Sequence, residues 1–327
     1  MRKILLLVVL FSLLYPRLSF SSARQDAIDV TLNQVEFALA QNNLAQDEYG
    51  KVNSASGSQT TYIQERTPDK WEREQEEDKN IFYISGGYET NYMRYREFSN
   101  KNTLDRDYGA MDGFYVTAGF KSNHDIESIQ GRPFAEFYFR RFEDLITYDG
   151  RTWGGTAVKF NERSCVQQFG LKLGAYKDFA ERGEITVYFN IGRRVWYRGE
   201  NEILDGVITY AEKYYWTCLG PGARITYWLT PKFLPGLELE GLFTDSAKMR
   251  ADLLEGATFT LTDVYGIEVK APLKYYLFKN LSFDLTPYYT YWRIYLSEPA
   301  QISGIGVAEP DSKTHILGLQ TGLTYYF

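Results

Sequence analysis

Residues 314–327 alternate without a break. His315, Leu317, Leu319, Thr321, Leu323, Tyr325 and Phe327 fall on one side; Thr314, Ile316, Gly318, Gln320, Gly322, Thr324 and Tyr326 fall on the other. A period of two places successive side chains on opposite faces of a strand. Here one face is greasy and the other small and polar. That contrast suits a wall with lipid on one side and a wet or packed interior on the other.

The same pattern recurs from Ile81 onward. Phe283, Leu285, Tyr289 and Tyr291 alternate with Ser282, Asp284, Thr286 and Thr290, and Ile185, Val187, Phe189 and Ile191 alternate with Thr186, Tyr188 and Asn190. Ten strands are expected, at 81–97, 108–121, 130–143, 165–178, 184–198, 212–229, 236–246, 258–273, 281–297 and 312–327. The connections between them alternate short and long, the longest being 144–164, 199–211 and 298–311. Tight turns at one end and large loops at the other are expected of an antiparallel up-and-down transmembrane β-barrel. The count becomes twelve if 144–164 folds into a hairpin of its own.

Composition narrows the choice. With 27 Tyr, 21 Phe and 6 Trp the chain is too aromatic to stay disordered. A helical membrane bundle is excluded, because the one long apolar run lies at the start of the chain. The formal net charge is -6 and no basic block occurs, which argues against a nucleic-acid partner.

Charged residues fall at inward positions of most strands: Glu136, Arg140, Lys172, Arg194, Arg224, Glu238, Glu240, Glu268, Lys270 and Asp284. A soluble sandwich would bury the apolar face and leave these charges in water. Aromatic runs such as Tyr214–Trp216 near strand ends, and the length of the strands, favour a membrane instead. In lipid every backbone donor needs a strand partner, so the sheet must close. Acids and bases are roughly balanced inside, and the inward rings of Tyr188, Trp196, Trp216, Trp228 and Trp292 are bulky. The expected lumen is a largely occluded network of charges; the alternative is a slim hydrophilic passage for small solutes or ions.

The chain start reads as an export address. Arg2 and Lys3 precede the apolar run Ile4–Tyr15, and Ser21 and Ala23 are spaced for cleavage after Ala23. Residues 24–80 form an expected periplasmic extension. It comprises a helical stripe within 26–49 (Ile28, Leu32, Val35, Leu39), a Ser/Thr/Gly linker and a charged segment at 69–79.

At the chain end, Gln320, Gly322, Tyr325 and Phe327 follow a polar-x-Gly-x-x-aromatic-x-aromatic spacing. This resembles the C-terminal signal of Gram-negative outer-membrane β-barrel proteins. The resemblance implies an outer-membrane location, surrounding lipid as partner, and recognition by the barrel-assembly machinery. Ten strands is also the size class of omptin proteases and Opc-type adhesins. Omptin-like chemistry needs an inward His beside a carboxylate at the outer mouth. The chain has two histidines: His124 falls in a short turn, and His315 shares the lipid-facing parity of Leu317. No catalytic residue, metal site or cofactor is therefore assigned. Asp105, Asp107 and Gly109 lack the remaining ligands of a calcium loop and read as an Asp-rich turn. Cys165 and Cys218 fall on non-neighbouring strands with opposite facing, so both are expected as free thiols. Tyr148, Arg151 and Trp153 in the 144–164 loop are candidates for binding an envelope or host surface partner. The functional expectation is a surface or structural interaction protein, with a passive channel as the alternative and an outer-membrane hydrolase as a third reading.

Overall fold

The computed structural model describes residues 80–99, 102–152, 155–180, 182–204, 207–252, 256–302 and 305–327. The export segment 1–23, the rest of the extension up to residue 79, and Trp153 lie outside these residues.

Alternation of β-branched and aromatic residues with small polar ones favours strand throughout. Strands β1 (Ile81–Ser99), β2 (Asn102–Lys121), β3 (Arg132–Arg151), β4 (Ala157–Phe179) and β5 (Gly183–Arg198) run up and down in sequence. A small hairpin, β6 (Ile203–Leu204) and β7 (Val207–Ile208), then precedes β8 (Glu212–Tyr227) and β9 (Phe233–Ala251). The next wall strand is interrupted, as β10 (Ala257–Thr260), β11 (Val264–Lys270) and β12 (Leu273–Phe278), and all three segments pair with β9. β13 (Leu281–Ile294), a second loop hairpin of β14 (Ala300–Ile302) and β15 (Ile305–Val307), and β16 (Asp311–Tyr326) complete the chain.

Counting β10–β12 as one, the wall has ten strands, all antiparallel to their neighbours. It closes where β16 pairs with β1, from Tyr83↔Tyr326 to Phe98↔Asp311. No stretch of this seam lacks a partner, so the barrel has no free edge. Gly87 and Gly322 flank it at close quarters: a Cβ on Gly87 would lie 2.0 Å from the Thr321 carbonyl, and one on Gly322 would lie 2.3 Å from the Gly86 carbonyl.

The strands run farther toward the long-connection end than the sequence predicted. Residues 144–151 stay paired with 157–164, from Asp144↔Ser164 to Arg151↔Ala157, extending β3 and β4 without adding a wall strand. Likewise β2 begins at Asn102, so Asp105 and Asp107 lie on a strand and not in an Asp-rich turn. The cause is cross-strand pairing that sequence periodicity does not register once the outward face turns polar.

Outward side chains form a continuous apolar belt. On β5 it comprises Ile185, Val187, Phe189 and Ile191, on β9 Leu237, Leu239 and Phe243, and on β16 Leu317 and Leu323, all exposed. So large a contiguous apolar surface is not stable in water. The belt stops at outward basic residues: Arg94 on β1, Arg141 on β3, Arg193 on β5 and Lys313 on β16. Cys165 and Cys218 are both free and buried, as expected.

Candidate functional site

The lumen is filled in layers. Nearest the short turns, all ten charges assigned inward from the sequence are found inside. Lys172 Nζ lies 2.5 Å from Glu238, 3.3 Å from Glu240 and 3.8 Å from Glu136. Arg224 spans Glu136 (3.0 Å) and Glu238 (2.5 Å) from the adjoining wall. Tyr188 donates to Glu238 and Glu240, and Asn190 donates to Glu240. A second knot joins Arg140 to Glu268 at 3.1 Å, with Lys270 on the same Glu268 at 2.8 Å. Glu89, which the sequence reading did not single out, completes it: it accepts from Tyr288 and Gln320 and lies 3.9 Å from Arg140. Asp284 pairs with Lys274 near the short turns. Buried charges at such spacing satisfy one another, which is the condition for burying them at all. Arg194 is the exception. It is 2% exposed, and among the described residues no carboxylate lies within ion-pair distance. Its guanidinium instead lies 5.5 Å from the Trp292 ring and 5.9 Å from the Trp216 ring, with Gln168 as an acceptor at 3.5 Å.

Above the ions sits an apolar plug. Trp196 stacks on Tyr214 at 4.8 Å and meets Tyr95 edge-on at 5.0 Å, and Trp216 meets Trp292 edge-on at 5.3 Å. Met93, Met111, Phe142, Val166, Leu242, Phe259 and Ile294 pack around these rings. The sequence marked the inward tryptophans as bulky but gave no sign that aliphatic residues from the strand ends would join them inside.

The outer mouth holds a cluster the sequence reading missed. Arg198, at the end of β5, makes a two-point contact with Asp107 at 2.6 and 3.2 Å. It reaches Glu97 at 2.8 Å, Glu212 at 2.9 Å, Glu162 at 3.5 Å and Asp105 at 4.0 Å. Tyr214 donates to Glu212 and to Glu309 (2.6 Å), Tyr95 donates to Glu97, and Tyr148 donates to Asp105. Five carboxyl groups thus share one guanidinium, and a sixth, Glu309, joins them through Tyr214. Burial pushes Glu97 up to about 7, with Asp105 adding to the shift and Arg198 opposing it. Burial likewise pushes Asp107 up to about 6 against the pull of Arg198. Glu162, Glu212 and Glu309 are raised for the same first reason. Parity alone would have found Arg198, four residues beyond Arg194 on the same face, and Glu97, eight beyond Glu89.

Tyr148 belongs to this cluster, not to an open loop. It points inward on β3, stacked on Phe160 at 4.9 Å. Arg151 is exposed at the hairpin tip and donates to the Gly155 carbonyl. A cavity of about 560 Å³ lies outside the cluster, lined by Asn201, Glu202, Ile203, Ile208, Thr209, Tyr210 and Asp252. His124 sits in the turn between β2 and β3, its backbone N–H donating to Ser122, and His315 faces outward with Nδ1 2.8 Å from the Tyr289 hydroxyl. Of the chain-end residues that carry the resemblance, Gln320 is turned into the lumen, while Tyr325 and Phe327 meet edge-on at 5.0 Å at the closing seam.

No known protein family and no curated protein sequence matches this chain. Among solved structures it is similar to the outer membrane protease OmpT from Escherichia coli, at 10% identity over 76% of this chain and 97% of that one, TM-score 0.49. It is similar also to the translocator domain of the autotransporter NalP from Neisseria meningitidis, at 12% identity over 91% and 98%, TM-score 0.36. The neisserial surface protein A matches at 12% identity over 75% and 97%, TM-score 0.32. Closure of the present barrel rests on its own pairing register.

Proposed function

We propose that this chain is an integral outer-membrane barrel that serves as a surface or structural interaction protein, with a lumen closed to solutes. The observation that carries this reading is the aromatic plug of Tyr95, Trp196, Tyr214, Trp216 and Trp292 lying between two ionic layers. A passage needs a continuous wet path; here dry rings follow buried ion pairs, and a further ion cluster caps them. The apolar belt supports residence in a bilayer, and the seam at β1–β16 supports a role for Gln320, Gly322, Tyr325 and Phe327 in assembly. Export through residues 1–23 belongs to the same reading. Contacts with an envelope or host partner fall to the outer hairpins, where Ile203 is 72% and Ile208 66% exposed.

Conductance in a planar bilayer tests the proposal. Folded protein that inserts without current steps across several salts and voltages supports it. Steady ohmic steps would overturn it in favour of a narrow channel.

A further inference from the structure

The outward face above the belt carries a row of cations on four adjacent strands. Arg293 on β13 stands opposite Lys313 on β16, Lys313 opposite Arg96 on β1, and Arg96 opposite Arg106 on β2. One register step lower, Arg94 stands opposite His315 and Tyr108. These positions alternate with buried Ile294, Ser312, Tyr95 and Asp107, so they face away from the lumen.

Like charges directly opposed on neighbouring strands repel. The two ends of the row are compensated: Arg293 lies 2.9 Å from Asp311 and Arg106 lies 2.8 Å from Asp149. The centre is not. Among the described residues, Arg94, Arg96 and Lys313 have no carboxylate within ion-pair distance. The Nε of Arg96 is buried with no acceptor, and Lys313 rests over the Phe98 ring at 5.4 Å. Elsewhere round the barrel the same level is quieter. Arg141 pairs with Glu143 and Arg163 with Glu200. Arg193 stands opposite Phe169 and Thr217, and Lys213 stands opposite Tyr197 and Arg250, the latter compensated by Asp252 at 3.5 Å.

Height identifies the missing anion. Tyr92, two residues below Arg94, and Leu317, two residues beyond His315, are both exposed apolar side chains. Two strand residues rise about 7 Å, so the free cations sit just above the acyl region, level with headgroup phosphates. Arginine forks take phosphate oxygens two at a time. Cross-strand neighbours stand about 5 Å apart, and Arg94 and Arg96 about 7 Å apart, so the row can hold two phosphates side by side.

We propose that the wall formed by β13, β16, β1 and β2 is a seat for a lipid headgroup carrying more than one phosphate, held by Arg94, Arg96 and Lys313. This rests on the bilayer reading of the belt. The test uses the purified full chain, reconstituted with phosphatidylcholine, phosphatidylglycerol or cardiolipin and read by native mass spectrometry for retained lipid. Inorganic phosphate serves as competitor. Cardiolipin, with two phosphates, should be retained over phosphatidylglycerol, and phosphatidylcholine least. Each of Arg96→Gln and Lys313→Gln should lower cardiolipin retention about fivefold. Arg96→Lys, which keeps the charge, and Arg193→Gln, which removes an outward cation opposed by no other, should stay near wild type; circular dichroism establishes that each variant is folded. Folded protein that retains cardiolipin no better than phosphatidylcholine would overturn the seat. So would equal loss in Arg193→Gln, or full displacement by inorganic phosphate, which would mark a free-ion site. Failure to enter phosphatidylcholine bilayers would overturn the bilayer reading itself, a separate result.

Discussion

At the scale of single residues, the two arginines of β5 make opposite predictions. Arg198 holds several carboxyl groups at the mouth, while Arg194 lies between two tryptophans with no acid. Removing one partner of a buried ionic set costs about 3–5 kcal/mol, whereas replacing an uncompensated buried charge with an apolar side chain is often neutral or stabilising. Arg194→Met should therefore leave the urea midpoint in detergent unchanged or raise it, and Lys172→Met, which strips a cation from three carboxylates, should lower it. Equal losses would show that the ionic layer is not what Lys172 stabilises. The mouth also makes stability depend on pH. Glu97 at about 7 and Asp107 at about 6 lie above their unfolded values near 4. The folded protein thus binds protons more tightly than the unfolded chain. The stability from this difference is fully present below about pH 4 and is lost as pH rises through 6 to 7. Amide exchange at 95–98 and 104–108, corrected for intrinsic rates, should be slower at pH 5 than at pH 8. Flat protection across that range would count against the shared-proton cluster.

At the scale of elements, the closing seam depends on close backbone approach. A side chain at Gly322 would run into the Gly86 carbonyl at 2.3 Å and the Tyr115 hydroxyl at 2.6 Å. Gly241, by contrast, faces outward with its nearest neighbour, Phe243, 3.7 Å away. Gly322→Val should therefore push β16 from β1 and reduce the fraction of heat-modifiable folded band on a denaturing gel, while Gly241→Val should not. A normal yield for Gly322→Val would mean that the seam can shift to absorb it. The ten wall strands were legible in the sequence because lipid outside and charge inside enforce a strict alternation. Their outer ends were not. Beyond the belt both faces turn polar: Glu143, Arg163 and Asp149 point outward while Glu97, Asp107 and Glu162 point inward. Periodicity then carries no contrast, and pairing over 144–151 with 157–164 is fixed only by the partner strand. For this reason the mouth cluster, assembled from six wall strands and one loop, was the part of the site that sequence left unread.

The barrel as a whole is an inversion of a soluble domain: apolar residues face out over a belt of limited height, and the interior carries ions, then rings, then acids. What distinguishes this arrangement from a water-soluble barrel with a sticky surface is dependence on depth. Phe189 lies in the middle of the β5 belt, 46% exposed, whereas Tyr197, 41% exposed, stands above Arg193, where the belt has ended. Exposure is nearly equal, so a soluble protein would treat an arginine at either site alike. A bilayer would not. Arginine costs about 2–4 kcal/mol at the midplane of a membrane barrel and about 0–1 kcal/mol near the interface. Phe189→Arg should accordingly lower unfolding stability in lipid vesicles by several times more than Tyr197→Arg, with the difference shrinking in short-chain detergent, where the apolar layer is thin and adaptable. If the two substitutions cost the same in vesicles, the belt does not lie against acyl chains, and the ionic lumen must then be explained by some environment other than a membrane.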